Sequence, residues 1–232
     1  MFTGIVQAIG QIEEVLPQSS PAGQKAGLRL MVAWGGLESE DVSEGDSIAI
    51  NGACMTVLRP DAFGFAADIS RESLDCTVGL DRPGPVNLEK AMRASDRFGG
   101  HIVSGHVDAV GRVIRLESRG ESVGLAVMLP SELGVYVSGK GSIALQGVSL
   151  TINQVCDRDD GVEIDINLIP HTWSQTTLRG LAVGDGVNVE VDTIARQVVR
   201  CWERIGQFSG QLNRPGGIQA SGVDRASGGR RP

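Results

Sequence analysis

The stretch NGACMTV at residues 51–57 returns as QGVSLTI at 146–152, inside a duplication that runs most of the length of the chain. Three landmarks recur in the same order. TGIVQAIG (3–10) answers SGHVDAVG (104–111), GDSIAINGACMTV (45–57) answers GKGSIALQGVSLTI (139–152), and VNLE (86–89) answers VNVE (187–190). Two copies of about a hundred residues each are too few for a solenoid and fit a tandem pair of like domains. Inside each copy the apolar period is two, as in SIAINGACMTVL, SIALQGVSLTI and GVEIDINLI, and turn residues bound the runs. A repeat of this size is too small for a deep sandwich. The expectation is therefore an all-β chain of two tandem six-stranded antiparallel barrels, at 1–99 and 100–192.

Helical signals are few. LEKAMRASDR (88–97) reads as a short helix that closes the first repeat at Gly99–Gly100. TIARQVVRCWERIG (193–206) places Ile194, Val198, Cys201 and Ile205 on one narrow seam. A helix this short is marginal alone, so the seam needs a surface, either its own barrel or other subunits. Residues 207–232 are rich in Gly, Ser and Pro and are expected to be a disordered tail.

A net charge of −7 argues against a nucleic-acid binder, which needs basic clusters. No apolar run reaches membrane-helix length and no secretion signal is evident, so the expected location is the cytoplasm. Cys54, Cys76, Cys156 and Cys201 form no CxxC pair and suit neither a zinc site nor a disulfide framework. His101 and His106 lie five apart in HIVSGH, on opposite faces of any continuous strand, which disfavours a shared metal. Nucleotide loops and nucleophile elbows are missing as well.

The repeats differ in chemistry at two places. Cys54 of the first faces Ser149 of the second, and Ile5 faces His106. On strands, Cys54 and Thr56 share one face, and Ser149 and Thr151 share its equivalent, opposite Met55 and Leu150. That face is either a solvated exterior or a pair of matching reactive ladders. His106 is a proton carrier suited to neutral pH or a hydrogen-bonded structural histidine.

Taken in order, MFTGIV, NGACMTV, GGHIVSGHVDAVG, GVSLTIN and LIPHTWSQTTL resemble the riboflavin synthase family from Met1 to about Arg204. The resemblance implies Greek-key barrels and a C-terminal helix through which three subunits associate. It also implies a four-carbon exchange between two molecules of 6,7-dimethyl-8-ribityllumazine, giving riboflavin and 5-amino-6-ribitylaminopyrimidinedione without metal or redox cofactor. The active site would form between the N-barrel of one subunit and the C-barrel of a neighbour. A non-catalytic lumazine- or flavin-binding relative is the alternative.

Carried onto this chain, the resemblance places Ser47, Cys54 and Thr56 at the N-barrel site, with Ser149, Thr151 and His106 at the C-barrel site and Phe2 nearby. Substrate contacts are expected from Gly4, Ile5, Val6, Met55, Gly105, Val107, Lys140 and Leu150. Two matching segments add Asp68, Ile69, Ser70, Arg71, Glu72 and Ser73, and Ile169, Pro170, His171, Thr172, Trp173 and Ser174. The expected roles make Cys54 or a water the nucleophile on the acceptor, with His106 and Ser149 managing protons on the donor. Gln146 stands where the family carries an acid, and an amide there cannot act as a base. The first repeat is also shorter around 76–85 than its partner segment.

Overall fold

The computed structural model describes residues 1–18 and 26–212, with side chains through 206. Met1–Arg196 forms one compact unit holding both repeats, and Gln197 onward belongs to a second. The first repeat contains β1 (Ala8–Pro17), β2 (Leu28–Ala33), β3 (Ser47–Ile50), β4 (Ala53–Thr56), β5 (Gly64–Ile69), α1 (Arg71–Cys76) and β6 (Gly84–Lys90). The second contains β7 (Ala109–Arg119), β8 (Ser122–Leu129), β9 (Ser142–Leu145), β10 (Val148–Arg158), β11 (Gly161–Leu168), α2 (Pro170–Gln175) and β12 (Gly186–Val191).

Both repeats run antiparallel in one Greek-key order, β4-β3-β6-β1-β2-β5 and β10-β9-β12-β7-β8-β11. The second closes fully, because β10 pairs with β9 through Val148–Thr151 and with β11 from Ile152 to Arg158. In the first, the matching strand breaks after Thr56 and closure rests on the Leu58–Ala66 bridge. The cause is local: Arg59 takes a left-handed φ of 47°, and Pro60 has no N–H to continue a ladder. The shared origin persists in detail, since β1 and β7 each shift register once, between Ile12 and Glu14 and between Val113 and Arg115.

Period-two alternation fills each barrel with its inward side chains. Ile12, Leu30, Ile48, Ile50, Phe65 and Leu88 form the first core; Val113, Leu125, Ile143, Leu145, Ile164 and Val189 form the second. A third, small cluster of Phe2, Ala49, Val103 and Ala144 lies between the barrels.

The expected helix at 88–97 does not form. Leu88, Glu89 and Lys90 belong to β6, paired with β1 and β3. Local helix propensity loses to tertiary pairing that buries Leu88 completely and Glu89 nearly so. Beyond it, Ala91 N–H donates to Ser47 O and Arg93 N–H to the Asp96 carboxylate, which makes a turn. Near the C-terminus, α3 runs Thr193–Leu212, past the expected end at 206. No proline interrupts it before Pro215, so the backbone of 207–212 is helical where a disordered tail was expected. The rest of that expected tail, 213–232, lies outside the described residues.

Candidate active site

Each repeat opens with an arm, Phe2–Val6 or Val103–Val107, and the arms cross. Val6 packs against the core of the second barrel, and Val107 against the core of the first. The arms meet at a two-way bridge: Phe2 N–H donates to Val103 O at 2.8 Å, and Val103 N–H to Phe2 O at 3.1 Å. Each then docks on the strand of the other repeat that carries Ser149 or Cys54. Ser149 N–H donates to Gly4 O at 2.7 Å, and Cys54 N–H to Gly105 O at 2.8 Å. Gly4 (φ 75°) and Gly105 (φ 82°) are needed there, because a Cβ on either would lie 2.6 or 2.5 Å from the Cβ of Ser149 or Cys54.

Two buried carboxylates clasp the arms. Glu89 accepts from Thr3 N and Oγ1 at 2.7 and 2.8 Å and from Gly4 N at 3.0 Å. Glu190 accepts from Ser104 N and Oγ at 2.6 and 2.7 Å, and from Gly105 and His106 N at 2.9 and 3.1 Å. Burial pushes the Glu89 carboxyl above the usual carboxylate range, against the pull of those donors. A second clasp joins the tight turns. Asn87 Nδ2 donates to Gln146 O, and Asn188 Nδ2 to Asn51 O, while Gly52 and Gly147 approach too closely for a Cβ on either. Gln146 is thus a buried turn residue whose Oε1 accepts from Asn188 N at 3.4 Å.

The crossing regroups the expected site residues. A cleft of about 190 Å³ is lined by Ala53, Cys54, Glu72, Ser73, Cys76, Thr77, Gly105, His106 and Val107. His106 therefore sits with Cys54 rather than with Ser149 and Thr151 as expected, because its arm lies over the first barrel. Ser149 instead meets His101, with Nδ1 at 2.7 Å from Oγ, and the arm of Gly4, Ile5 and Val6. Ser47 pairs with Thr56 and Ser142 with Thr151, each at the rim of its barrel, and both threonines are exposed. Lys140 is exposed, with φ 69° and its N–H donating to Ile152 O.

Several expected contacts point elsewhere. Phe2 is fully buried in the seam and pins its arm. Met55, Ile69 and Leu150 turn into the barrel cores, as the other face of the alternation requires. Asp68 pairs with Arg29, which holds its carboxyl below the usual range. Arg71 pairs with Asp75, and Ser70 caps α1 by accepting from Ser73 N. On α2, Trp173 packs on the second core, Ile169, Pro170 and His171 are exposed, Ser174 Oγ donates to His171 O, and Thr172 O accepts from Thr176 Oγ1. Residues not expected at the site are Ala53, Cys76, Thr77, His101 and the two clasp glutamates. The echo of VNLE in VNVE carried the signal for Glu89 and Glu190.

A profile of the lumazine binding domain matches twice, at residues 3–91 and 104–192. The riboflavin synthase of Photobacterium phosphoreum is 43% identical over 202 residues, which is 86% of this chain and 88% of that protein. That of Mycobacterium tuberculosis is 40% identical over 214 residues, 89% of this chain and 100% of its own. Among solved structures, LumP complexed with riboflavin superposes with a TM-score of 0.70 at 25% identity, covering 82% of this chain and 99% of LumP. LumP complexed with 6,7-dimethyl-8-(1'-D-ribityl) lumazine gives a TM-score of 0.66 at the same identity and coverage. Duplicated in sequence, in barrel topology and in the crossed arms, the chain belongs to the riboflavin synthase family of tandem lumazine-binding domains.

Proposed function

We propose that each barrel holds one molecule of 6,7-dimethyl-8-ribityllumazine, and that the N half-site of one subunit faces the C half-site of another. The activity is riboflavin synthesis, a transferase reaction in which one lumazine gives a four-carbon unit to a second. The observation that carries the proposal is the pair of half-sites, alike in backbone yet unlike in Cys54 with His106 and Ser149 with His101.

Two identical substrates suit two related cradles. Holding them face to face contributes roughly 7–11 kcal/mol by converting an encounter into a positioned pair. New carbon–carbon bonds form at methyl carbons, so one lumazine must lose a methyl proton while the other is made electrophilic. In this reading the N half-site holds the electrophilic lumazine, where the Cys54 thiol adds to the ring and His106 in the same cleft takes the thiol proton. The C half-site holds the lumazine that loses the methyl proton, beside Ser149, Thr151 and Lys140.

Association as a homotrimer through α3 completes the site. Its support is the exposed apolar row on that helix, Ile194, Val198, Trp202 and Ile205, which water does not favour. A cytoplasmic location belongs to the same reading and fits four unpaired cysteines. Among the described residues no helix is long and apolar enough to cross a membrane.

The test is to mix the protein with the lumazine and follow the visible absorbance of riboflavin. Steady growth supports the proposal. Tight binding without turnover over hours would instead assign the chain to the non-catalytic binders. Cys54→Ser should slow turnover about 100-fold or more while lumazine binding stays within a few-fold.

A further inference from the structure

The seam between the barrels holds a second cleft, of about 330 Å³, which shares no lining residue with the cleft of Cys54. Its walls come from segments 78–85 and 177–186, and the turn residues Asn51 and Gln146 line it as well. Four buried amides meet at this seam, and two of them are fully used. Asn87 Oδ1 accepts from Thr177 N–H at 2.8 Å while its Nδ2 donates to Gln146 O. Asn188 Oδ1 accepts from Val78 N–H at 2.7 Å while its Nδ2 donates to Asn51 O.

Asn51 and Gln146 differ. Asn51 Oδ1 accepts from Asn87 N–H at 2.8 Å and Gln146 Oε1 from Asn188 N–H at 3.4 Å, which fixes the other end of each side chain as NH₂. Neither NH₂ group has a hydrogen-bond partner among the described residues, although the two residues are only 4% and 8% exposed. The Thr177 hydroxyl, on a residue that lines the same cleft, is buried and equally without a partner among them. Buried donors left unpaired are costly, so three bordering one cleft call for a ligand rich in acceptor atoms.

Charge narrows the choice. Arg82 stands at the cleft with only Asp81, 3.8 Å away, beside its guanidinium. Asp185 lines the cleft too; its Oδ2 accepts from Ala182 N–H at 2.8 Å, and its Oδ1 has no partner among the described residues. One cation and one anion in the lining give no net field to hold a multivalent anion, and they suit a single carboxylate that also carries a donor. The acid that the family places at position 146 would repel such a ligand, whereas the Gln146 amide can donate to it.

We propose that the seam cleft is a binding site for a small hydroxy-monocarboxylate. Asn51 Nδ2 and Gln146 Nε2 donate to its carboxylate oxygens, Arg82 balances its charge, and Asp185 Oδ1 accepts from its hydroxyl. The site is separate from both half-sites and does not depend on the activity proposed above. Its occupant ties the segments that follow α1 and α2 to the turns of both barrels, so binding also raises Tm.

The experiment is isothermal titration of lactate into the full-length chain, with acetate and inorganic phosphate compared. Lactate should bind once per chain with Kd on the order of 1 mM, as its few atoms allow. Acetate, which has no hydroxyl for Asp185, should bind about tenfold more weakly, and the phosphate dianion should not bind. Gln146→Glu sets a charge against the carboxylate and should weaken lactate at least about tenfold; Arg82→Ala should weaken it about fivefold. No saturable lactate binding, or equal binding by wild type and both variants, overturns the proposal. Phosphate binding as tightly as lactate overturns it too, since the cleft would then accept any anion. Should Gln146→Glu not fold, Arg82→Ala decides, because a side chain 67% exposed can be removed without loss of the fold.

Discussion

Replacing Glu190 by Gln tests whether the crossed arms are held by a charged clasp. The carboxylate is 4% exposed and accepts four hydrogen bonds, two on each oxygen. Glutamine fits the same space but offers one oxygen and one NH₂. The less costly orientation points the NH₂ at Ser104, whose hydroxyl can turn and accept. The Ser104 N–H then faces a donor, which costs about 1–3 kcal/mol for a stranded buried group. The Gly105 and His106 N–H groups keep an acceptor but lose its charge, at about 1 kcal/mol each. The gain from no longer burying a charge offsets part of this. A net loss of about 3 kcal/mol follows, or roughly 6–12 °C in Tm for a chain of this size. Calorimetry checks the melting, and riboflavin formation well below Tm checks the function. Turnover should fall further than folding alone explains, because the freed arm carries His106 into the Cys54 cleft. A Tm shift under about 3 °C together with unchanged turnover would refute the clasp.

Three further outcomes are expected. Gly147→Ala puts a Cβ 2.7 Å from Gly52 N at φ 76° and should cost about 3 kcal/mol; Gly180→Ala, with nothing within 4 Å, should change thermal stability by less than about 0.5 kcal/mol. Arg119 and Arg115 hold the Asp165 carboxyl below its usual range, so its contribution is present above about pH 3.9 and lost as pH falls through the lowered value. In urea unfolding, the stability gap between wild type and Asp165→Asn should therefore shrink in acid, and also at high salt, because the arginines are partly exposed. Val198→Asp with Trp202→Asp, on the exposed row of α3, should lower the sedimenting mass to that of a single chain while lumazine binding persists.

Repetition and alternation made the architecture legible. Cys54 and Ser149 were found because a period of two survives in NGACMTV and QGVSLTI, and that period also turns Met55 and Leu150 inward. What a single sequence does not display is which repeat a segment leans on. Val6 belongs to the first copy by descent and packs on the core of the second barrel. Matching His106 to Ile5 was correct, yet His106 lies with Cys54. The strand spacing weighed for HIVSGH does not apply, because 101–106 is not a continuous strand; the structure sets His101 against Ser149 and His106 in the cleft of Cys54. The misread helix at 88–97 has the same origin, since Leu88 and Glu89 answer to β1, β3 and Thr3 rather than to their neighbours in sequence.

Crossed arms mean that neither repeat completes its own cluster. The thiol of the first repeat shares a cleft with a histidine of the second, while Ser149 meets Gly4 of the first repeat and His101 of the connection between the arms. Exchanging Cys54→Ser and Ser149→Cys together therefore does not mirror the enzyme. It sets a thiol against His101 and a hydroxyl against His106, while both clasps and both glycine approaches stay as they were. A thiol is larger than a hydroxyl, and the walls formed by Gly4 and Gly100 leave it little room. Turnover of the double exchange should remain at least about 100-fold below wild type with the fold intact by circular dichroism. Near-normal turnover would show that the two positions are interchangeable, and that unequal half-sites are not what the duplication was kept for.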